Sequence, residues 1–270
     1  MNFAKRAMTR LFIPAPFFCL FSLLVAPSLG APLPEGREAE ALIQMAREHL
    51  GGNERLEGVV SLKYTGRIDS PDRDRAGRIA LYLKKPLKQR IEIETESGTV
   101  EVTAVNGYEG WILSRGIDER LSEVKVMDPQ NLNRMLVSTW ENLNFFARPV
   151  AHHGKIHFKG KTEYRGRPVY ELHVVYPGGK PTYIRFFDRQ TGELVGSKTD
   201  DGLEFIESGM IQVDGIQFPR KIEALRGERR VHLITFEEIE VNPELDDGLF
   251  EFPSNVPVSN PLPNLDDYRK

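Results

Sequence analysis

Cysteine is almost absent from this chain of 270 residues, Cys19 being the only one. It lies in a segment read below as an export signal. The protein that remains then has no disulfide, no thiolate nucleophile and no cysteine-based metal site. Stability must come from a packed core, and a domain of about 240 residues buries roughly 70–75% of its unfolded surface. Catalytic signatures are missing too. No G-x-S-x-G or HExxH occurs, and His152–His153, the only histidine pair, reads as a linker. Asp200–Asp201–Gly202 and Asp246–Asp247–Gly248 do not continue into a loop with enough oxygen ligands for calcium, so both read as turns. Glu237–Glu238 belongs to a strand pattern, where neighbouring side chains face opposite ways and cannot form an acid–base pair. No catalytic residue, metal or cofactor is expected.

A basic cluster is lacking as well. Residues 1–30 hold three of the 36 basic residues and none of the 39 acidic ones, so their removal leaves a balance of −6. That excess argues against a nucleic-acid partner and against strong attraction to anionic membranes. Nor is there a long apolar run beyond the start of the chain. Lys5, Arg6 and Arg10 precede an apolar stretch at 11–25, interrupted by Pro14, Pro16 and Ser22. It is shorter than the roughly 20 residues of a spanning helix, and small residues at Ser28 and Gly30 suit a signal peptidase. Residues 1–30 are therefore expected to be a signal peptide cut near Gly30/Ala31. Pro16, Phe17 and Phe18 precede Cys19 where a lipoprotein signal has small residues, so no lipid anchor is expected.

What is present is strand alternation, interrupted by one long helix. Residues 38–50 have helical period and end at Gly51–Gly52. From 59 to 114, and again from 155 to 252, apolar and polar residues alternate as in half-buried antiparallel strands. Leu62, Tyr64 and Ile68 share one face; Ile79, Leu81 and Leu83 follow, then Ile91 and Ile93; Asn106–Gly107 marks a hairpin. In the second half, 203–213, 218–225 and 231–241 read as strands. Between the halves lies a helix at 128–148, capped by Asp128 with Pro129 at its first position and stopped by Pro149. Leu132, Met135, Leu136, Thr139, Trp140, Leu143 and Phe146 form its stripe. No composition break divides the halves, so 31–252 reads as one domain, with 253–270 a surface tail. A sheet with one apolar helix over its concave face either encloses a ligand pocket or fills its own core, and periodicity does not distinguish the two. In the pocket reading, Leu81, Leu83, Ile91, Ile93 and Trp111 line the sheet side, and Leu132, Met135, Leu136, Trp140 and Phe146 line the helix side.

Several segments, in order, resemble periplasmic outer-membrane lipoprotein-sorting proteins of the LolA/LolB-like superfamily. They are Gly51–Gly52–Asn53–Glu54–Arg55–Leu56, Ser61–Leu62–Lys63–Tyr64–Thr65–Gly66, Leu83–Lys84–Lys85–Pro86, Asn106–Gly107–Tyr108–Glu109–Gly110–Trp111 and Val213–Asp214–Gly215–Ile216–Gln217–Phe218–Pro219. Leu249–Phe250–Glu251–Phe252–Pro253 closes the series. The resemblance implies a mainly β (α+β) fold, an unclosed antiparallel β half-barrel with helices covering the concave face. It further implies a monomeric periplasmic carrier or chaperone for lipoprotein acyl chains or another lipid. Such a carrier receives its cargo from an inner-membrane releasing complex and passes it to an outer-membrane acceptor. The family places an arginine before the proline of the Lys-Arg-Pro segment, where it bonds helix carbonyls and clamps the lid. Lys85 stands there in this chain, keeping the charge but not the planar five-donor fork. An envelope sensor or interaction module is the alternative function, and a hydrolase a weaker third.

Overall fold

The computed structural model describes residues 33, 36–71, 76–118, 122–147 and 153–259. Residues 1–30, where the signal peptide and Cys19 are placed, lie outside them, as do Pro149, His152 and residues 260–270 of the tail. In chain order the elements are α1 (Glu38–Leu50), α2 (Asn53–Glu57), β1 (Ser61–Asp69), β2 (Gly77–Lys84), β3 (Lys88–Thr95), β4 (Val100–Asn106), β5 (Glu109–Arg115) and β6 (Glu123–Val126). There follow α3 (Pro129–Asn144), β7 (Lys155–Tyr164), β8 (Arg167–Val175), β9 (Thr182–Asp188), β10 (Leu194–Thr199) and β11 (Leu203–Ser208). The last are β12 (Ile211–Val213), β13 (Ile216–Phe218), β14 (Lys221–Arg226) and β15 (Arg229–Val241).

Thirteen strands form one antiparallel sheet in the order β6-β5-β4-β3-β2-β1-β15-β14-β11-β10-β9-β8-β7. The first half is a plain meander, because each alternating run is joined to the next by a short polar turn. The long return from β6 through α3 starts a second meander at the far edge, and β15 pairing with β1 welds the two halves. β6 and β7 do not pair with each other, so the barrel stays open.

One helix measures how strongly the sheet curls. β3 and β9 are seven ladder steps apart, roughly 34 Å along the sheet at about 4.8 Å per step. Yet Gln89 of β3 and Arg185 of β9 touch Thr139 and Glu141, two residues apart on α3. Only a sheet wrapped into a half-barrel brings both walls to one helix. The expected unclosed half-barrel, with helices on its concave face, is the fold observed.

Three boundaries differ from the sequence expectation. The run 203–213 is two strands, because the chain leaves the sheet after Ser208 and β12 pairs with β13 in a separate hairpin. α3 ends at Asn144 rather than 148, where Phe145 and Phe146 take positive φ of 48° and 64°. Phe146 is therefore outside the helix, and its ring meets Phe187 edge-on at 5.3 Å. The described part of the tail is not merely laid on the surface. Val258 bridges Val124, and Val124 N–H and C=O bond Pro257 and Ser259, which covers part of the β6 edge.

Packing follows from the curl. On the concave side, Leu132, Met135 and Leu136 of α3 sit on Val105, Ile91 and Ile112. Further along, Leu143 and Phe145 join Leu62, Leu83, Phe218 and Phe236. Toward β8 and β9, Val137 meets Leu42, Ile43 and Ala46 of α1 with Tyr170 and Phe187. Two smaller clusters, around Trp111 and around Phe186, lie outside these three.

Candidate functional site

The concave groove is roofed by α1, α2, α3 and the β12–β13 hairpin, and the roof is held by directed contacts. Asp128 caps α3, accepting from the Gln130 and Asn131 N–H groups, each at 3.0 Å. At the helix centre the Thr139 hydroxyl lies 3.1 Å from the Gln89 side-chain oxygen. On the opposite wall Arg185 donates to Glu141 at 2.7 Å and the Tyr176 hydroxyl donates to the same carboxylate at 2.5 Å. Burial, then the Glu141 charge beside it, pushes the Tyr176 hydroxyl well above the ordinary phenol range. The Arg185 guanidinium also lies over the Phe146 ring at 4.9 Å. A buried ion pair of this kind stabilises little relative to an apolar pair, but losing either partner strands the other. It thereby fixes where α3 can sit.

The other end of the roof is tied by an arginine that sequence reasoning missed. Arg47, in the last turn of α1, is 6% exposed. It donates to the carbonyls of Asn144 at 2.7 Å and Phe145 at 2.9 Å, and to Asn53 at 2.5 Å. These carbonyls lie at the C-terminal end of α3, where helical partners run out and the helix dipole favours a cation. Lys85, the expected clamp, bonds a different helix. Its ammonium donates to the Glu57 carbonyl at the end of α2 at 3.3 Å. Burial, then the nearby Arg47 charge, lowers Lys85 from its ordinary lysine value. The α3 carbonyls that a lid clamp must hold are thus taken by Arg47. Its partners stand 97 and 98 residues away and are backbone atoms, so no residue type in the sequence marks them.

Two segments that carried the family resemblance meet under the same roof. Gly51, with φ of 139°, ends α1 directly against the β12–β13 turn, and a Cβ there would stand 2.4 Å from the Gly215 carbonyl oxygen. Only glycine permits that approach.

Most of the predicted lining residues do come together on the concave face, but not around an empty space. Leu83 is 1% exposed beneath Leu143 and Phe145. Ile91 lies directly under Leu132, Met135 and Leu136, and Trp140 is 9% exposed. Trp111 is the clear departure. Its neighbour Ile112 packs with α3, so Trp111 points the other way, into a cluster with Val102, Ala104, Leu113 and Val124. There it lies between Phe252, at 6.5 Å, and Arg90, at 5.8 Å. Apolar residues occupy both faces of β5, so alternation alone does not say which face turns inward.

Open space begins where α3 stops covering the strands. A cavity of about 790 Å³ occupies the far end of the groove, lined by Ile68, Ile93, Val100, the end of β5 and the start of β15; no α3 residue lines it. Leading away from it, Ile68, Ile234 and Ile222 stand opposite one another on β1, β15 and β14, and Glu207 continues the row on β11. Ile234, Ile222 and, on β2, Leu81 are partly buried, packed at the margin of the Leu62–Phe236 cluster. Burial pushes the Glu207 carboxyl up to about 7, opposed by Arg185 and aided by Glu193. Among the described residues no three His, Asp or Glu side chains converge to hold a metal.

No protein-family sequence model matches the chain, and no curated protein matches it in sequence. Solved structures do. A LolA-superfamily protein of Nitrosomonas europaea superposes with a TM-score of 0.53 at 10% identity, over 79% of this chain and 97% of its own. A DUF1329-family protein of Desulfovibrio piger, at 11% identity, covers the same shares with a TM-score of 0.45. At such identity the first match carries the architecture alone.

Proposed function

From a chain whose fold is LolA-like, we propose a carrier that binds the acyl chains of lipids or lipoproteins noncovalently in its concave groove. It is exported and moves them through the periplasm toward the outer membrane. One observation carries this reading: a partly buried aliphatic row on the groove floor leads to a cavity of about 790 Å³. Small-ligand pockets have volumes of roughly 300–1,000 Å³ and mostly apolar walls. An acyl chain loses about 0.8 kcal/mol for every CH₂ left in water, so an aqueous crossing requires such shelter. Ile93 and Leu81 are the first lining a chain meets. Leu132, Met135, Leu136 and Trp140 become available to it only when α3 lifts, which breaks the Arg47 bonds to its carbonyls. An inner-membrane releasing complex and an outer-membrane acceptor are the partners such a cycle needs.

An envelope sensor or interaction module is the second reading, and the filled core beneath α3 favours it. Native mass spectrometry of the mature protein from its host periplasm, with lipid extraction, separates the two. A bound acyl species near one per chain supports the carrier. A bare protein that also refuses a fluorescent fatty-acid probe removes the carrier reading in favour of a protein partner.

A further inference from the structure

The convex face of the second meander brings together three polar side chains that the groove does not use. β7 is the edge strand of the sheet and pairs with β8. In that ladder His157 stands directly opposite His173. Their chain neighbours Ile156, Phe158, Leu172 and Val174 pack inward in the cluster that holds α1, so alternation turns both imidazoles outward on one face. Glu171, two residues before His173, shares that face, and its carboxylate oxygen lies 2.5 Å from His173 Nε2. His157 is exposed, and His173 and Glu171 are half-buried. The two histidines come from different strands at no recurrent ligand spacing, so no sequence motif marks them.

We propose that His157 and His173 bind a divalent cation of the zinc and copper class, with Glu171 as the positioning carboxylate. The site is independent of what the groove binds. Residues directly opposite in an antiparallel pair have Cβ atoms about 4.5–5.5 Å apart. Two imidazole rings rooted at that separation can reach one ion at the Zn–N distance of about 2.0–2.1 Å. With its proton on Nε2, the His173 ring donates to Glu171 and leaves the Nδ1 lone pair for the metal. A carboxylate behind a ligating histidine fixes the ring and raises its basicity. Imidazole suits zinc and copper, whereas magnesium and calcium take oxygen ligands. The site has two protein ligands, because Glu171 is engaged by His173 and the three side chains do not converge on one point. The remaining coordination positions stay with water or a donor from another molecule, as in an open site and not a closed structural one. Lys155, two residues before His157 on the same face, is exposed and among the described residues has no ion-pair partner. Its charge opposes the cation, and moderate salt screens it.

The test is a calorimetric titration of the untagged mature protein with zinc, copper(II) and magnesium chlorides at moderate salt. One zinc ion per chain is expected, with copper(II) tighter than zinc and no magnesium binding. Glu171→Gln is expected to weaken zinc about tenfold, the loss typical of a removed carboxylate behind a ligand. The double variant His157→Gln/His173→Gln is expected to abolish zinc binding. In the unaltered chain, zinc should slow amide exchange in β7 more than in β1, because the ion ties the edge strand to β8. Absence of zinc and copper binding overturns the site, as does magnesium binding as tightly as zinc or a zinc affinity unchanged in the double variant. Binding lost in His152→Gln/His153→Gln and kept in the double variant places the ion on the linker pair and overturns it too. Zinc that leaves β7 exchange unchanged overturns the site even where the double variant does not fold.

Discussion

Two stretches of the same concave face behave differently, and β3 runs through both. At Gln89, 3% exposed and in reach of Thr139, the groove is filled by α3. Four residues further on, at Ile93, it opens into a cavity that α3 does not reach. The strands are continuous and the face is the same. What differs is the roof: α3 is shorter than the groove is long, and its end is pinned by Arg47. The same surface thus serves as core where a helix covers it and as candidate binding site where none does. If that is right, substitutions in the covered part should move stability, and those at the open end should move binding.

The largest expected effect comes from a residue in neither part. Trp111→Ala removes a side chain 2% exposed on the opposite face, so urea unfolding should show a loss of about 3–5 kcal/mol. Affinity for a fatty-acid probe should be unchanged in the fraction that stays folded. Weakened binding at unaltered stability would contradict the placement of Trp111 away from the groove.

Arg47→Met comes next. It leaves the carbonyls of Asn144 and Phe145 without their donor, at a cost of about 2–3 kcal/mol. Hydrogen exchange should speed up along α3 more than along β1 or β15, and probe uptake should become faster because the roof lifts more readily. Uniform acceleration across the sheet would mean that Arg47 is general packing and not a tether.

The last effect is a pH dependence. Burial pushes the Glu207 carboxyl of the folded chain up to about 7 from the ordinary 4.5. The folded state therefore holds the proton more tightly, and this group's contribution to stability falls as pH rises from about 4.5 through 7. Glu207→Gln should raise the melting temperature at pH 8 and leave it nearly unchanged at pH 4. A gain of equal size at both pH values would show that the carboxyl does not titrate in this window.

Much of this could be read from the amino-acid order. Alternation located the strands, and the period of three and four located α1 and α3. Asp128–Pro129 marked the start of α3, and Gly51–Gly52 the end of α1. These are local properties, set by backbone geometry that repeats every two or 3.6 residues. What local order could not settle was which partners a residue meets across the sheet. Lys85 and Arg47 are both cations beside helix ends, and only the fold brings Arg47 to the carbonyls of α3. Residues 203–213 alternate without a break, and only the competing pairing of β12 with β13 divides them.

The sequence by itself determined where most of the strands and helices lie and the side-chain parity of each strand. Tertiary structure alone decided which parity faces inward, how far α3 reaches, and therefore where the groove is core and where it is open. The reason is physical. Parity assigns a side chain to one of two faces, but β5 is apolar on both, and nothing within a strand tells the two apart. Curvature does, and curvature exists only once thirteen strands have paired and one helix has bridged their walls.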